Sequence, residues 1–378
     1  MKFERLGENI KQVRGISYSP KDISAIPLPD YVPILKANNI QERGIDIKDL
    51  IYIHKSKIKP EQFIKKGDLL LAASSGSKAI VGKNIFFEND FEGSFGAFCK
   101  LVRPKTNIHP KFVGVFFKTP YFKRHILNLI NGALINNLKN EHIDSLLIPT
   151  LAKSDQLHIA NLLTKAENLI NQRKESIRLL DEFLKSVFLE MFGDPVRNEK
   201  GWEIYKLGLV THMKAGQFVS ANDIQSEFAV GQYPCYGGNG LRGYVKTFTH
   251  DGEFVLIGRQ GALCGNVKVA KGQFHATEHA VVCSPKKHFE IYWLFYLLYI
   301  INLNKYASGA AQPGLAVGRL EQIEIIFPII SLQTQFAQIV STTETIKTQY
   351  QQSLQELENL YGSLSQRAFR GELERGRA

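Results

Sequence analysis

The feature of this sequence that most restricts its fold is an internal repeat. Residues 3–7 (FERLG) resemble residues 204–208 (IYKLG), which lie 201 positions later. Three single-residue matches share this spacing: Gly15 with Gly216, Pro33 with Pro234, and Asn38 with Asn239. Similarity at a fixed spacing indicates a duplicated structural unit. We therefore expect one fold that is present twice.

Later matches extend the repeat at smaller offsets. Residues 66–71 (KGDLLL) match residues 251–256 (DGEFVL) at an offset of 185, and residues 146–149 (LLIP) match residues 325–328 (IIFP) at 179. We also match Gln156 with Gln335, and Phe192 with Phe369 at an offset of 177. Each copy is thus expected to be a globular part followed by a helix.

The repeat divides the chain into four segments. Residues 1–152 and 194–330 alternate short β-rich runs with Gly, Pro and Asn, so we expect mostly-β domains with a few short helices. Residues 153–193 and 331–378 are expected to be two long helices, the second with a C-terminal tail. The predicted fold class is α+β, with two pseudo-two-fold-related domains separated by an antiparallel coiled coil.

The coiled-coil prediction rests on heptad spacing. Apolar positions in both helices recur at steps of 3 and 4, and the second helix slips by one residue near Tyr350. A rod of 36 residues would be roughly 54 Å long. The alternative is that each helix packs onto its own domain. The positions are Ile159, Leu163, Ala166, Ile170, Arg173, Ile177, Leu180, Leu184, Val187 and Met191, then Phe336, Ile339, Thr343, Ile346, Tyr350, Leu354, Leu357, Tyr361, Leu364 and Ala368.

Charge is concentrated in the globular parts. Residues 1–152 contain 23 Lys and Arg against 14 Asp and Glu, and residues 194–330 contain 13 against 11, within a net charge of +11 for the chain. A basic module present twice favours duplex DNA as partner, although a merely solvated basic surface is the alternative. The four cysteines form no C-x-x-C pair, and residues 1–10 contain no apolar signal region, so we expect a reducing, cytoplasmic location without a membrane span.

Two motif-like stretches require separate interpretation. Residues 238–243 (GNGLRG) have dinucleotide-binding spacing, but the β-branched and aromatic run that follows predicts a strand and not the helix such a site needs. Residues 275–279 (HATEH) have H-x-x-E-H spacing, which on a helix could bind zinc as in a hydrolase. Strand-like residues follow here too, so the zinc hydrolase is the weaker alternative.

The repeated ends of the two copies resemble a known family. The stretches SLQTQFAQIV, LQELENLYGSLSQRAFRGEL and SGAAQPGLAVGRLEQIEIIFP, with NGALINNLKNEHIDSLLIP in the first copy, are similar to the specificity subunits of type I restriction-modification systems. The resemblance covers essentially the whole chain. It implies that each globular part reads half of a split double-stranded DNA target and that the helices dock two modification (methyltransferase) subunits.

The resemblance also implies that the chain has no catalytic residue, cofactor or metal of its own. S-adenosylmethionine would belong to the modification subunits, and ATP and magnesium to the restriction (translocase) subunits. The Asn-Pro-Pro-Tyr or Asp-Pro-Pro-Tyr stretch of an amino-methyltransferase does not occur in the sequence.

Candidate DNA-contacting residues are the polar side chains that can read base edges, placed on the expected loops. The glycines at 238–243 would permit turns with positive φ there. In the first copy the candidates are Lys36, Asn38, Asn39, Ser75, Ser77 and Lys78; in the second they are Gln217, Tyr236, Asn239, Arg242, Tyr244, Arg259, Gln260, His275 and His279.

Overall fold

A computed structural model describes residues 2–41, 44–132, 137–261, 264–309 and 313–373. The chain forms two compact units: the first contains residues 1–173 and 353–378, and the second contains residues 174–352. One boundary lies inside each of the two long helices, at residues 173–174 and 352–353. Each unit therefore contains about half of each helix. Residues 374–378 of the expected C-terminal tail lie outside the described residues.

The first unit combines small sheets with short helices. Its strands are β1 (Phe3–Arg5), β2 (Ile10–Arg14), β3 (Ile23–Ser24), β4 (Tyr31–Leu35), β5 (Ile40–Gln41), β6 (Gly44–Ile45), β7 (Ile51–His54), β8 (Leu69–Ala72), β9 (Asn84–Phe86), β10 (Ser94–Phe95), β11 (Cys99–Pro104) and β12 (Leu147–Pro149). Its helices are α1 (Leu6–Asn9), α2 (Pro110–Phe116), α3 (Pro120–Gly132), α4 (Asn140–Asp144) and the start of α5 (Lys153–Phe192).

Two four-stranded sheets form the body of this unit, in the orders β2-β11-β8-β9 and β10-β4-β7-β3. Strand β8 is buried along its whole length, because helices cover one face of its sheet and the second sheet covers the other. Asp68, just before β8, is buried and accepts two hydrogen bonds from the Arg103 guanidinium, at 2.8 and 2.7 Å. This ion pair satisfies a carboxylate that would otherwise be buried alone.

The second unit keeps the main order of elements with fewer strands and helices. Its strands are β13 (Glu203–Lys206), β14 (Thr211–Ala215), β15 (Tyr233–Gly237), β16 (Gly240–Val245), β17 (His250–Gly258), β18 (Val267–Ala276), β19 (Ala280–Pro285) and β20 (Glu324–Phe327). Its helices are α6 (Leu207–Val210), α7 (Ile291–Ile301), α8 (Val317–Glu321) and the start of α9 (Ile330–Phe369).

One six-stranded sheet, in the order β14-β19-β17-β18-β15-β16, forms the body of the second unit. The long strand β18 pairs antiparallel with β17 and, at its end, parallel with β15. Strand β10 makes the equivalent parallel pair with β4 in the first unit. Helix α7, which is apolar nearly all round, buries Trp293 and Leu297 in the core of the second unit.

The structure confirms the repeat and corrects its register. Backbone hydrogen bonds from Leu6 N to Leu146 O and from Leu207 N to Ile323 O place the end of the two copies at an offset of 177 residues, not 179. Gln156 therefore corresponds to Gln333, and its predicted match with Gln335 is wrong. Both glutamines are buried, whereas Gln335 is exposed.

The offset of 185 is wrong by one residue. Leu69 pairs with Val102 in the first unit, and Val255 pairs with Cys283 in the second. Since β11 and β19 are offset by 181 residues, β8 and β17 must be offset by 186. Leu69 thus corresponds to Val255 and not to Phe254.

The two long helices pack against each other within each unit. In the first unit the start of α5 and the end of α9 share one core, which contains Ile159, Leu163 and Ala368. In the second unit the rings of Phe188 and Phe336 lie 5.5 Å apart between centroids. The start of one helix meets the end of the other, so the pairing in each unit is antiparallel, as expected.

One predicted seam position is wrong. Ile346 is 36% exposed, and the adjacent Lys347 packs inward and forms an ion pair with Asp181 at 2.5 Å. A lysine can occupy such a position because its methylene stem is apolar and its amine reaches the edge of the interface.

The predicted α+β class with two domains is confirmed by these elements. The four cysteines are buried and unpaired, and burial raises the pKa of the Cys99 and Cys283 thiols to about 12. Within the described ranges, the helices lack a stretch of sufficient length and apolarity to span a bilayer.

Candidate nucleic-acid interface

Four loop segments of the second unit, each next to a strand end of its six-stranded sheet, lie against one another. They are residues 216–217 after β14, 238–239 between β15 and β16, 259–260 after β17, and 277–279 between β18 and β19; we call them the second loop face. Backbone hydrogen bonds join them: Gln217 N to Ala276 O at 2.8 Å, Thr277 N to Tyr236 O at 2.8 Å, and Arg259 N to His279 O at 3.0 Å.

Glycines allow these segments to approach closely. A Cβ atom added to Gly216 would lie 2.1 Å from Ala276 O, and one added to Gly258 would lie 2.0 Å from Gly238 O. Gly240 has a φ of +102°, which glycine adopts without strain. The G-x-G-x-x-G spacing therefore serves a β-hairpin packed on a neighbouring strand end, and the dinucleotide interpretation is wrong.

Several predicted candidates present polar atoms from the second loop face or from the adjoining strand β16. Asn239, Arg242 and Gln260 are exposed, and Asn239 Oδ1 accepts a hydrogen bond from Asn266 Nδ2 at 2.9 Å. The side chain of His279 is 42% exposed, with Nε2 3.1 Å from Glu278 Oε1. Among the described residues, buried Arg259 Nε and Glu278 Oε2 lack a hydrogen-bond partner. Buried polar groups are normally satisfied, and His275 Nδ1 is a third buried atom of this region without a partner.

Other candidates of the second copy have a supporting role or lie elsewhere. His275 is 5% exposed, and its Nε2 lies 3.2 Å from the carbonyl oxygen of Gln217. The half-buried Tyr236 ring packs edge-on against Phe274, and burial raises the pKa of its hydroxyl. Gln217 is exposed at the loop face, whereas Tyr244 lies further along β16 against Phe228.

The first unit has the same backbone arrangement at residues 15–16, 37–38, 73–74 and 96–98, which we call the first loop face. The equivalent hydrogen bonds are Ile16 N to Phe95 O at 2.9 Å, Gly96 N to Leu35 O at 2.9 Å, and Ala73 N to Phe98 O at 2.9 Å. A Cβ atom on Gly15 would lie 2.1 Å from Gly96 O, as close as for Gly216. The predicted match of Asn38 with Asn239 agrees with this register.

The candidate residues of the first copy differ in how far their side chains are exposed. Asn38, Ser77 and Lys78 are exposed, and Lys36 and Ser75 are half-buried beside the first loop face. Asn39 is buried: its Oδ1 accepts from Lys36 N at 2.9 Å and its Nδ2 donates to Asp46 O at 2.8 Å. The side chain of Asn39 therefore stabilises its own loop, and the geometry does not favour a base contact.

Sequence reasoning missed one residue of the first loop face. Phe98 is 67% exposed, and the backbone bonds place it at the position of His279 in the second unit. The two stretches FGAFC and ATEHA align at an offset of 181, so the sequence itself contains this match, but phenylalanine lacks the polar groups that read base edges by hydrogen bonding.

The structure does not favour the zinc alternative. Residues 275–279 run from the end of β18 into a turn, so their side chains do not share a helix face. In the part of the chain that the structure describes, His, Cys, Asp and Glu side chains do not form a group of three that could hold a metal ion.

Comparison with known proteins shows what the chain is similar to. Residues 199–359 match the profile of the type I restriction modification DNA specificity domain. This part of the chain is therefore similar to the type I restriction specificity family. Across 143 residues the chain is 53% identical to the EcoprrI specificity subunit of Escherichia coli, and across 173 residues it is 35% identical to the StySPI specificity subunit of Salmonella potsdam.

These two alignments cover 37% and 46% of the chain, but only 35% and 37% of the relatives. The EcoKI specificity subunit of Escherichia coli K12 is 26% identical, with 96% of the chain and 86% of the relative aligned. Among solved structures, the type I restriction-modification S subunit of M. genitalium matches with a TM-score of 0.61 at 15% identity, covering 97% of this chain and 96% of that one. At this identity the match establishes the shared fold.

Proposed function

We propose that this protein is the sequence-specific DNA-binding subunit of a type I restriction-modification complex. It reads a split duplex target, one half-site with each domain. One observation carries the proposal: the two loop faces have the same backbone hydrogen bonds but different side chains at matched positions, such as Ala73 against Arg259 and Phe98 against His279. Two loop faces with the same backbone hydrogen bonds but different side chains suit a target whose two halves differ in sequence.

Charge supports a DNA partner. The excess of 23 basic over 14 acidic residues in the first 152 positions favours contact with phosphates, which supply much of the affinity of DNA-binding proteins. Base edges are then read by polar and apolar side chains in the grooves. Asn38 and Asn239, exposed at the same place in the two loop faces, are suited to reading adenine.

The partners of the proposed complex are inferred from the similarity to this family. We propose two modification subunits per chain, docked on the helices, with restriction subunits joining the complex in the cytoplasm. The exposed apolar side chains Leu179 and Phe183 of α5, each 49% exposed, offer surface for such docking. The chain would contribute no catalytic group, and S-adenosylmethionine, ATP and magnesium would bind the partner subunits.

Selection of duplexes from a random pool tests the proposal. The full chain, assembled with its modification subunits, should enrich two short conserved sequences separated by a gap of fixed length. Binding should weaken steeply with salt, because neutralised phosphates release counterions. Enrichment of one continuous sequence, or of none, would contradict the proposal. Stoichiometric zinc in the same preparation, with hydrolase activity lost in His279→Ala, would favour the alternative.

A further inference from the structure

Phe98 has a fixed backbone and a ring that faces solvent. It lies in the turn between β10 and β11, where Cys99 N donates to Gly96 O at 2.9 Å. Its own carbonyl oxygen accepts two hydrogen bonds, from Ala73 N at 2.9 Å and Ser74 N at 3.0 Å. The side chain is nevertheless 67% exposed. A rigid turn thus holds a large apolar group in water, where it adds little to the core.

The loop face that contains Phe98 is otherwise largely polar. The first loop face contains the exposed Asn38 and is flanked by the half-buried Lys36 and Ser75. The corresponding position in the second unit holds His279, beside Glu278 and Arg259 with their unpartnered buried atoms. An exposed ring among polar and basic groups, at the place where the other copy presents its polar groups, fits a nucleic-acid partner better than a second apolar protein surface.

We propose that Phe98 is a specificity-determining residue that makes an apolar contact with a base of the first half-site. The inference rests on the proposed function and adds a residue to it. Phenylalanine has no hydrogen-bonding group, so it can recognise only apolar features of DNA. These are the C5-methyl group of thymine in the major groove, or a flexible base step that accepts an inserted ring. His279 occupies the same position in the second unit and reads by hydrogen bonding instead.

The experiment is duplex selection by the full chain with its modification subunits, for wild type, Phe98→Ala and Phe98→His. In Phe98→Ala, preference at one base pair or step of one half-site should fall about fivefold or more, the lower end of what one base pair contributes. The other half-site and the gap should not change. Phe98→His should select a different base there, and His279→Ala should alter the opposite half-site.

Phe3→Ala is the matched control. Phe3 is a 43% exposed phenylalanine of the same unit, on β1, which precedes β2 at the end of that strand away from the loop face. This variant should keep the wild-type preference at both half-sites. Deoxyuridine in place of thymine at the affected position separates the two apolar features. Weaker wild-type binding indicates the methyl group, and unchanged binding indicates insertion at a base step.

The inference and the proposed function fail in different ways. If wild type selects a split target and Phe98→Ala selects the same first half-site with the same preference, Phe98 is not a reading residue. Equal loss at both half-sites, or a lower Tm with unchanged preference, would overturn the inference as well. If wild type itself selects no split target, the proposed function fails.

Discussion

Two buried glutamines fix the same connection in the two copies. Gln156 Oε1 accepts from His109 N at 2.7 Å, and its Nε2 donates to Leu151 O at 2.9 Å. Gln333 does the same with Glu290 N at 3.1 Å and Pro328 O at 2.8 Å. His109 and Glu290 are the residues that precede α2 and α7. Each glutamine thus ties the start of a core helix to the chain that enters a long helix.

Replacing either glutamine should destabilise its unit. Gln156→Ala or Gln333→Ala leaves a backbone N–H and a carbonyl unpaired in a buried place, at a cost of about 1–3 kcal/mol in the free energy of unfolding. Urea unfolding measures the change. The control is Gln335→Ala, exposed on the same turn of α9, which should stay within about 0.5 kcal/mol of wild type. An equal loss for Gln333→Ala and Gln335→Ala would refute this role.

The sequence indicates that such a glutamine exists but not which one it is. The stretch LQTQF contains Gln333 and Gln335 two positions apart, and either matches Gln156 if the offset is free. Only the backbone bonds in three dimensions set the offset at 177. Strand β8 poses the same difficulty, because all four of its residues are buried and no alternation marks its register.

At the scale of secondary-structure elements, two equivalent glycines, one in each copy, let the strand ends at the loop faces come together. Gly216 follows β14 and sits against the end of β18, so its missing side chain lets two strand ends meet. Gly15 has this role after β2. The repeat in the sequence identified both glycines, but the sequence did not reveal that their neighbours are protein backbone.

We expect Gly216→Ala to disrupt the second loop face. The added Cβ would lie 2.1 Å from a backbone oxygen, so a strand end must move, at about 1–3 kcal/mol of stability. Duplex selection should then show a weakened half-site for the second domain and an intact one for the first. Gly318→Ala is the control, because an added Cβ meets open space in helix α8, and its stability should change by less than about 1 kcal/mol. Identical behaviour of the two variants would contradict the close-approach argument.

Heptad spacing predicted the long helices well because their buried faces are mostly apolar. It failed at Ile346, which the heptad pattern placed in the buried interface. In the structure the stem of Lys347 is buried there instead. The cause is a polar partner, Asp181, on the other helix, and a one-dimensional apolar pattern contains no information about such a partner.

At the scale of the whole molecule, the duplicated plan was predictable from the sequence, and the candidate base-reading residues stay predictions. Repeats, glycine positions and charge are visible in sequence. Two groups that differ between the copies, Phe98 and His279, are matched by strand pairing and by the alignment of FGAFC with ATEHA. The proposed function requires that the side chains at these positions differ between the copies. A domain that reads another base must change these side chains and keep the backbone of its loop face.

We expect the two domains to read their half-sites independently. Exchanging residues 1–150 for the matching segment of a relative should convert one half of the selected target to that of the donor. The frame should survive the exchange because Gln156 bonds to the backbone N–H of position 109, which any donor residue except proline supplies. The ring of Phe112 stacks on the ring of Phe369, with 5.1 Å between centroids. The donor segment should therefore carry an aromatic residue at position 112.

Sequencing of methylated sites in cells that carry the exchange measures the outcome. The retained second domain keeps its own loop face, whose joining hydrogen bonds all lie within residues 216–279, so the second half-site should not change. The reciprocal exchange of residues 197–328 is the control and should convert the opposite half. If either exchange altered both half-sites, the domains would not read independently. A split target would then have to arise from a joint surface, and equivalent loop faces in the two copies would no longer explain it.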